Sequence, residues 1–356
     1  MTHVLVVRLD NDGDVLLTGP AVRAVAATAG RVTLWCGPRG RHAAALLPGV
    51  DCVIEQPAAW IDPEPPAVDR VGMLDLIDRL AALKLDQAIV FTSFHQSPLP
   101  AALLLRMAGV PMIAAISDDY PGALLNVRHR IDPDVHEVER ALSLVATLGY
   151  RLPAGDHGRL AVRRPAQGQP NPAGEPGYVV VHPGASVPAR AWAHECYAEL
   201  VDALLAAGWR VVVTGGPHEV ALTTAVAGAP RPGVVDLGGR TGLAQLAEVL
   251  ADAQAVVVSN TGPAHLAAAV QTRVVSLFAP TVPASRWRPW AVPHVLLGDQ
   301  HIACAGCRAT DCPVPGHPCI SSVEPATVIA ALRRLLADRD RTAPPLAVSL
   351  LKEAAL

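Results

Sequence analysis

The chain has 356 residues, a formal charge of −3, 51% hydrophobic residues and only 4% aromatic ones. That length suits two globular domains, and the charge supplies no basic field for nucleic acid. No uninterrupted apolar run of about 18 residues occurs, so no membrane-spanning helix is expected, and the opening THVLVV starts a strand at once without the features of an export signal, so a cytoplasmic location is expected.

In the first half, predicted strands at 3–9, 31–36, 51–55, 87–91 and 111–116 alternate with predicted helices at 15–29, 40–47, 72–84, 98–108 and about 134–148. That βα order builds a parallel sheet with helices on both faces. Residues 153–176 (PAGDHGRLAVRRPAQGQPNPAGEP) are rich in Pro and Gly and lack apolar periodicity, which reads as a linker. A second alternation follows, with strands at 178–182, 210–214, 234–237, 255–259 and 273–278 and helices near 193–207, 217–227, 242–252, 263–270 and 324–338. The expected organisation is a doubly wound α/β domain over 1–152, the linker 153–176, a second such domain over 177–340, and a tail over 341–356. No G-x-G-x-x-G follows either first strand, which removes the main support for a dinucleotide site. Open α/β sheets bind ligands at the carboxyl ends of their strands, so candidate residues are sought there.

VVRLDNDGDVLLTGP (6–20) crowds Asp10, Asp12 and Asp14 where the first strand gives way to a helix. The spacing fails as an EF-hand, because Gly13 is fourth and Ala21 twelfth where Gly is needed sixth and Glu twelfth. Asp12 suits a helix cap or a solvated position. Asp14, beside Gly13, is placed as a general base, with Asp10 as its support.

Five further stretches lie at predicted strand ends. In FTSFHQSPLP (91–100), His95, Gln96 and Ser97 follow a strand and are candidates to line a ligand cleft. In DDYPGALLNVRHR (118–130), Arg128, His129 and Arg130 suit an acidic ligand or a solvated face equally. In HPGASVPARAW (182–192), the small-residue turn through Gly184 and Ser186 lets backbone N–H groups approach an anion, and Arg190 can neutralise a phosphate or stay solvated. In VVVTGGPHE (211–219), Thr214 and Gly215 form a strand-end turn, and Glu219 either caps the next helix or holds a ribose or sugar hydroxyl. In SNTGPAHLAAAV (259–270), Pro263 suits the first helical position, Thr261 and Gly262 present donors at a helix N-terminus, and His265 is either a ligand or a core histidine.

Taken together, RLDNDGDVLLTGPAVRA, HPGASVPARAW, VVVTGGPHE, SNTGPAHLAAA and VVSLFAPTVPASRW, in that order, resemble glycosyltransferase family 9, the ADP-heptose:lipopolysaccharide heptosyltransferase family. The resemblance implies a GT-B fold, two Rossmann-like domains facing a central cleft, with the nucleotide sugar held mainly by the second. It implies inverting transfer without an essential catalytic metal. Asp14 matches the family's proposed base, and Arg190 stands where many members have a Lys contacting the pyrophosphate. Thr261, Gly262 and His265 match the D-T-G-x-x-H site, in which Asn260 replaces the usual Asp. Gly184, Ser186, Thr214 and Gly215 complete the expected donor side, and Asp10, Gly13, His95 and Gln96 the acceptor side. The implied donor is ADP-heptose or a similar nucleotide sugar. The acceptor is a hydroxyl of a glycan, glycolipid or natural product, reached with peripheral membrane contact where it is lipid-borne. A GT-B-fold epimerase or hydrolase of nucleotide sugars, or a non-catalytic nucleotide-sugar-binding module, would share the diphosphate cradle.

HIACAGCRATDCPVPGHPC (301–319) spaces Cys304, Cys307, Cys312 and Cys319 as C-x2-C-x4-C-x6-C, with His301 and His317 nearby, while Cys36, Cys52 and Cys196 stand alone. Four thiolates fit a structural zinc or iron; free thiols and disulfides are the alternatives. Without an export signal a metal is favoured over disulfides.

Overall fold

A computed structural model describes residues 1–132, 134–164 and 171–338. The expected tail 341–356 and residues 165–170 of the expected linker lie outside the described residues. The chain divides into two compact units, one over Met1–Arg163 and one beginning at Arg164.

In chain order the first unit contains β1 (His3–Arg8), α1 (Asp12–Ala26), β2 (Arg31–Cys36), α2 (Arg41–Leu46), β3 (Cys52–Glu55), α3 (Arg70–Ala82) and β4 (Gln87–Phe91). It continues with α4 (Leu99–Met107), β5 (Met112–Ile116), β6 (Val127–His129) and α5 (Glu137–Thr147). All its strand pairs are parallel, in the order β3-β2-β1-β4-β5-β6. Central β1 pairs Val4 with Val32 on one side and with Gln87 on the other. Val4 through Val7 are fully buried, because helices cover both faces of a parallel sheet. Helix α5 turns Val138, Ala141, Leu144 and Val145 inward, a one-face spacing. Its entry is a capping box in which His136 Nδ1 accepts from the Val138 N–H and Glu139 accepts from the His136 N–H.

The second unit contains β7 (Val179–His182), α6 (His194–Ala206), β8 (Val211–Val213), α7 (Val220–Ala227), β9 (Val234–Asp236), α8 (Leu243–Ala251) and β10 (Ala255–Ser259). After these come α9 (Gly262–Ala269), β11 (Arg273–Leu277), α10 (Ala284–Trp287), β12 (His294–Leu297), α11 (Pro318–Ser321) and α12 (Pro325–Ala337). Its parallel order is β12-β11-β10-β7-β8-β9. Counted from its own first strand, that is the same 3-2-1-4-5-6 order as the first unit, the Rossmann arrangement. Each sheet therefore reverses its winding between its first and fourth strands: between β1 and β4, and between β7 and β10. Helices leave those two strands toward opposite faces, and a crevice opens at their carboxyl ends.

Strands β6 and β12 were not expected from the sequence. Both are edge strands of three or four half-buried residues, and Arg128, His129 and His294 break their apolar pattern. Helix α1 begins at Asp12 rather than at 15, so Asp12 and Asp14 belong to its first turn. Pro263 is the second helical residue of α9, after Gly262, rather than the first.

Part of the expected linker is fastened to the first unit. Arg23 donates from Nε (2.6 Å) and Nη2 (2.9 Å) to the two oxygens of Asp156, and the Arg163 N–H donates to the Leu46 carbonyl (2.7 Å). Arg164, the next residue, forks onto Glu248 of the second unit at 2.7 and 2.5 Å. Bidentate Arg–carboxylate pairs fix orientation as well as charge.

Leu200 of α6 is fully buried in the second unit's core. Leu200→Ala is expected to cost about 2–5 kcal/mol, read as a lowered urea midpoint for that unit.

Candidate active site

In the first unit the site is built on Arg8, the last residue of β1 and 3% exposed. Its Nε stands 2.8 Å from Asp10 Oδ2, and its Nη2 donates to Asp14 Oδ1 and Ser93 Oγ, each at 3.0 Å. Nη1 lies 3.8 Å from Glu137 Oε2. Burial disfavours the Arg8 cation, but Asp10, Asp14 and Glu137 together outweigh this and hold it more firmly protonated than usual. The Asp10 carboxyl is pushed up, chiefly by burial and then by Asp14, against the pull of Arg8 and the hydrogen bond from Gln96 Nε2. Gln96 is itself held, its Oε1 accepting from the Ser93 N–H at 3.0 Å.

Asp14 lies in the first turn of α1, where the helix N-terminus favours negative charge. Arg8 orients it through one oxygen, and its side chain keeps 18% exposure. Arg8 engages Asp14 Oδ1, and no hydrogen bond to the other oxygen occurs among the described residues. Gly13 is buried between Asp12 and Asp14 in the first turn of α1. Asp12 does not cap its own helix: its Oδ1 accepts from the Ala43 N–H at 2.8 Å and so fastens α2. His95 is exposed, its ring edge-on to Phe94 at 5.3 Å. Arg128 is engaged by the Ser117 and Asp118 carbonyls, and His129 by Ser143 Oγ at 3.1 Å.

In the second unit, β7 ends at His182, which is buried and shares a 2.9 Å hydrogen bond with Thr214 Oγ1. Burial pushes the His182 imidazole below its usual range, and Glu219 at 4.0 Å opposes this. Thr214 therefore braces the turn below the surface instead of presenting its hydroxyl to a ligand. Glu219 accepts from the Gly216 N–H at 2.7 Å. A Cβ on Gly184 would fall 2.0 Å from Glu219 Oε1, and one on Gly215 would fall 2.5 Å from Thr223. These glycines exist so that a carboxylate and a helix can approach the β7 and β8 turns. With the Glu219 carboxylate packed there, hydroxyl groups suit the Gly184 turn better than phosphate does. Ser186 is exposed on the same loop.

Groups suited to an anion gather after β10. Asn260 is 4% exposed, and its Nδ2 has no hydrogen-bond partner among the described residues. A buried donor of this kind is costly unless a ligand meets it. Thr261 caps α9 with extended backbone and no side-chain bond to the helix, Gly262 opens the helix, and His265 is buried on its first turn. Arg190 is held beside them: Nε donates to Thr281 Oγ1 at 3.1 Å and Nη1 lies 3.5 Å from the Asn260 carbonyl. A guanidinium, a helix N-terminus and an amide donor on one side of the switch point are the parts of a phosphate site.

Arg8, Ser93, Glu137 and Thr281 escaped sequence reasoning. Arg8 carried one readable signal, a cation ending an apolar strand run, which demands buried partners. The partners, 85 and 129 positions away, left none.

The cysteine-rich segment belongs to the same unit. All four thiols are unpaired, and all line one cavity. Burial raises the Cys319 thiol, and Cys312, Cys304 and Cys307 lie near enough to raise it further. Among the described residues, no three His, Cys, Asp or Glu side chains stand at metal-ligand spacing.

Two tandem Rossmann-like units with charged groups at both switch points define the GT-B class of fold. The sequence profile of glycosyltransferase family 9 (heptosyltransferase) matches residues 73–317, more than half of the chain, and the chain belongs to that family. It is similar to lipopolysaccharide heptosyltransferase 1 of Pseudomonas aeruginosa, 30% identical over 308 residues covering 79% of each chain. It is similar to lipopolysaccharide heptosyltransferase 3 of Escherichia coli, 36% identical over 117 residues, but that match covers 32% of this chain and 34% of the relative, about a third of its length. The fold is similar to that of E. coli heptosyltransferase WaaC solved with ADP-2-deoxy-2-fluoro heptose, at a TM-score of 0.70 and 23% identity, covering 94% of this chain and 99% of that one. No helix among the described residues is long and apolar enough to cross a membrane.

Arg8→Met leaves three carboxylates around a lost cation. It is expected to destabilise the first unit by about 3–5 kcal/mol, the cost of breaking a buried pair, measured by denaturant unfolding. Arg8→Lys keeps the charge without the fork and should recover only part of the loss.

Proposed function

We propose that the protein is an inverting glycosyltransferase that moves a heptose from ADP-heptose to a hydroxyl of a glycan or glycolipid, of the kind lipopolysaccharide offers. The observation that carries this reading is the second unit's switch point, where the α9 N-terminus, Arg190 and the Asn260 Nδ2, which has no hydrogen-bond partner among the described residues, stand together. Family membership and the heptosyltransferase names of the relatives support the transfer chemistry. The donor found with E. coli WaaC supports ADP as the nucleotide.

In this reading the diphosphate lies against the N-H groups of Thr261 and Gly262 and the Arg190 guanidinium, which stabilise the charge that develops as it departs. Asn260 donates to a donor oxygen, and His265 lies on the sugar side of the same turn. Glu219, beside Gly184, accepts from nucleoside or sugar hydroxyls. The acceptor is bound by the first unit, where Asp14 takes the proton of the attacking hydroxyl. The oxygen then bonds to the anomeric carbon as the bond to the nucleotide diphosphate breaks, with inversion. Arg8 orients Asp14, while Asp10, Gly13, Gln96 and the exposed His95 shape the acceptor side. No metal takes part in the transfer, and peripheral contact with a lipid surface brings the acceptor within reach.

An assay with ADP-heptose and an inner-core lipopolysaccharide acceptor tests this directly. Asp14→Asn is expected to lower turnover by about 10²–10⁴-fold, the usual worth of a general base, while ADP binding by calorimetry stays unchanged. Arg190→Ala is expected to weaken ADP about ten-fold or more, as loss of a charged hydrogen bond does. Donor turnover without acceptor would point instead to a nucleotide-sugar epimerase or hydrolase. Tight ADP binding with no turnover at all would point to a binding module.

A further inference from the structure

We propose that Cys304, Cys307, Cys312 and Cys319 hold one tetrahedral divalent metal, zinc or ferrous iron, and that this knot locks the loop that positions Arg190 and Thr281. The second half of the proposal rests on the nucleotide reading above; the first half does not.

The loop between β12 and α11 needs an internal tie. From Ile302 to His317 it contains neither strand nor helix. Two of its residues, Arg308 (φ 55°) and His317 (φ 49°), are non-glycines in left-handed backbone, a conformation that persists only where surroundings enforce it. Few of its side chains are buried, so apolar packing cannot supply that enforcement. What the loop does contain is four thiols on one cavity, shared with Ala189 and Thr281. Thiolates are soft donors, and four of them suit tetrahedral zinc or iron. His317 is not a fifth ligand, because its Nε2 is engaged with the Ala189 carbonyl at 3.0 Å. Among the described residues the thiols do not stand at metal-ligand spacing, so closing the site requires the cysteine side chains, of which Cys307 is exposed and Cys304 and Cys312 half-buried, to rotate toward the more buried Cys319. On binding, each thiol releases its proton to solvent and each sulfur donates a pair to the metal, with no change of oxidation state.

The same loop grips the candidate donor site from behind. The Ala189 N–H donates to the Thr310 carbonyl (2.8 Å), and the Ala189 carbonyl is held by His317. The Arg308 N–H donates to the Thr281 carbonyl (3.0 Å), and the Gly306 N–H to the Pro280 carbonyl (2.7 Å). Thr281 in turn accepts from Arg190 Nε. The residues that hold Arg190 in place thus alternate in sequence with the four cysteines, and tightening the knot tightens both ends of the Arg190–Thr281 contact.

The test uses the full chain purified without a polyhistidine tag and dialysed, in separate anaerobic experiments, against limiting Zn2+ or Fe2+. Elemental analysis is expected to find one metal per chain, and cobalt substitution a sulfur-to-cobalt charge-transfer band. Cys307→Ser, at an exposed position that leaves the core intact, is expected to lower metal affinity at least about ten-fold; Cys312→Ser should do the same, and Cys196→Ser should change nothing. Removing the metal is expected to weaken ADP binding about ten-fold with the far-ultraviolet circular dichroism unchanged. No retained metal after either dialysis overturns the site. A bound metal whose removal leaves ADP affinity unchanged overturns the link to Arg190. A chain that binds metal in the cysteine-dependent way but never binds ADP upholds the site and overturns the nucleotide reading instead.

Discussion

The reversal of winding in each sheet is the constraint on which the rest depends. In both units the first and fourth strands are neighbours, and the helices that follow them leave on opposite faces. Backbone that would otherwise be covered is left open at those two strand ends. Arg8, Asp10 and Asp14 follow β1, and Ser93 and Gln96 follow β4. His182 and Gly184 follow β7, and Asn260 through His265 follow β10. The candidate residues therefore collect at these strand ends.

Within the first unit that opening is organised by a single cation. A guanidinium buried to 3% exposure is tolerable only because three carboxylates surround it. The arrangement has a direction. Asp10 and Glu137 are more deeply buried than Asp14, whose side chain alone keeps 18% exposure. The inner carboxylates hold Arg8, and Arg8 holds the outer one in a fixed pose. Pre-organisation of this kind fixes the Asp14 carboxylate before any ligand arrives.

The second unit uses glycine and a loop where the first uses an ion cluster. Gly184 and Gly215 are small so that Glu219 and α7 can approach the β7 and β8 turns. Arg190 ends a short 3-10 turn. It is braced by Thr281 and, behind that, by backbone hydrogen bonds from the cysteine-rich loop. A long cation on a short 3-10 turn needs such bracing to keep one geometry.

The sequence by itself determined the two βα alternations, the central strands, most helix spans and the strand-end stretches that carry the candidate residues. These are local properties: continuous apolar runs and one-face helical spacing report burial within a dozen residues. Asp14, Arg190 and the Thr261–His265 turn were legible for that reason, since each follows directly from where a strand stops. Only the tertiary structure decided what those residues touch. It gave Asp12 to α2 instead of to its own helix, turned Thr214 inward to His182, and filled the Gly184 turn with Glu219. It set Arg8 among Asp10, Asp14 and Glu137, and Ala189 against Thr310 and His317. Edge strands β6 and β12 also needed it, because half-exposed three- and four-residue strands carry little pattern of their own. Periodicity says which face of an element is buried; which distant side chain waits there is set by the packing of elements far apart in the chain.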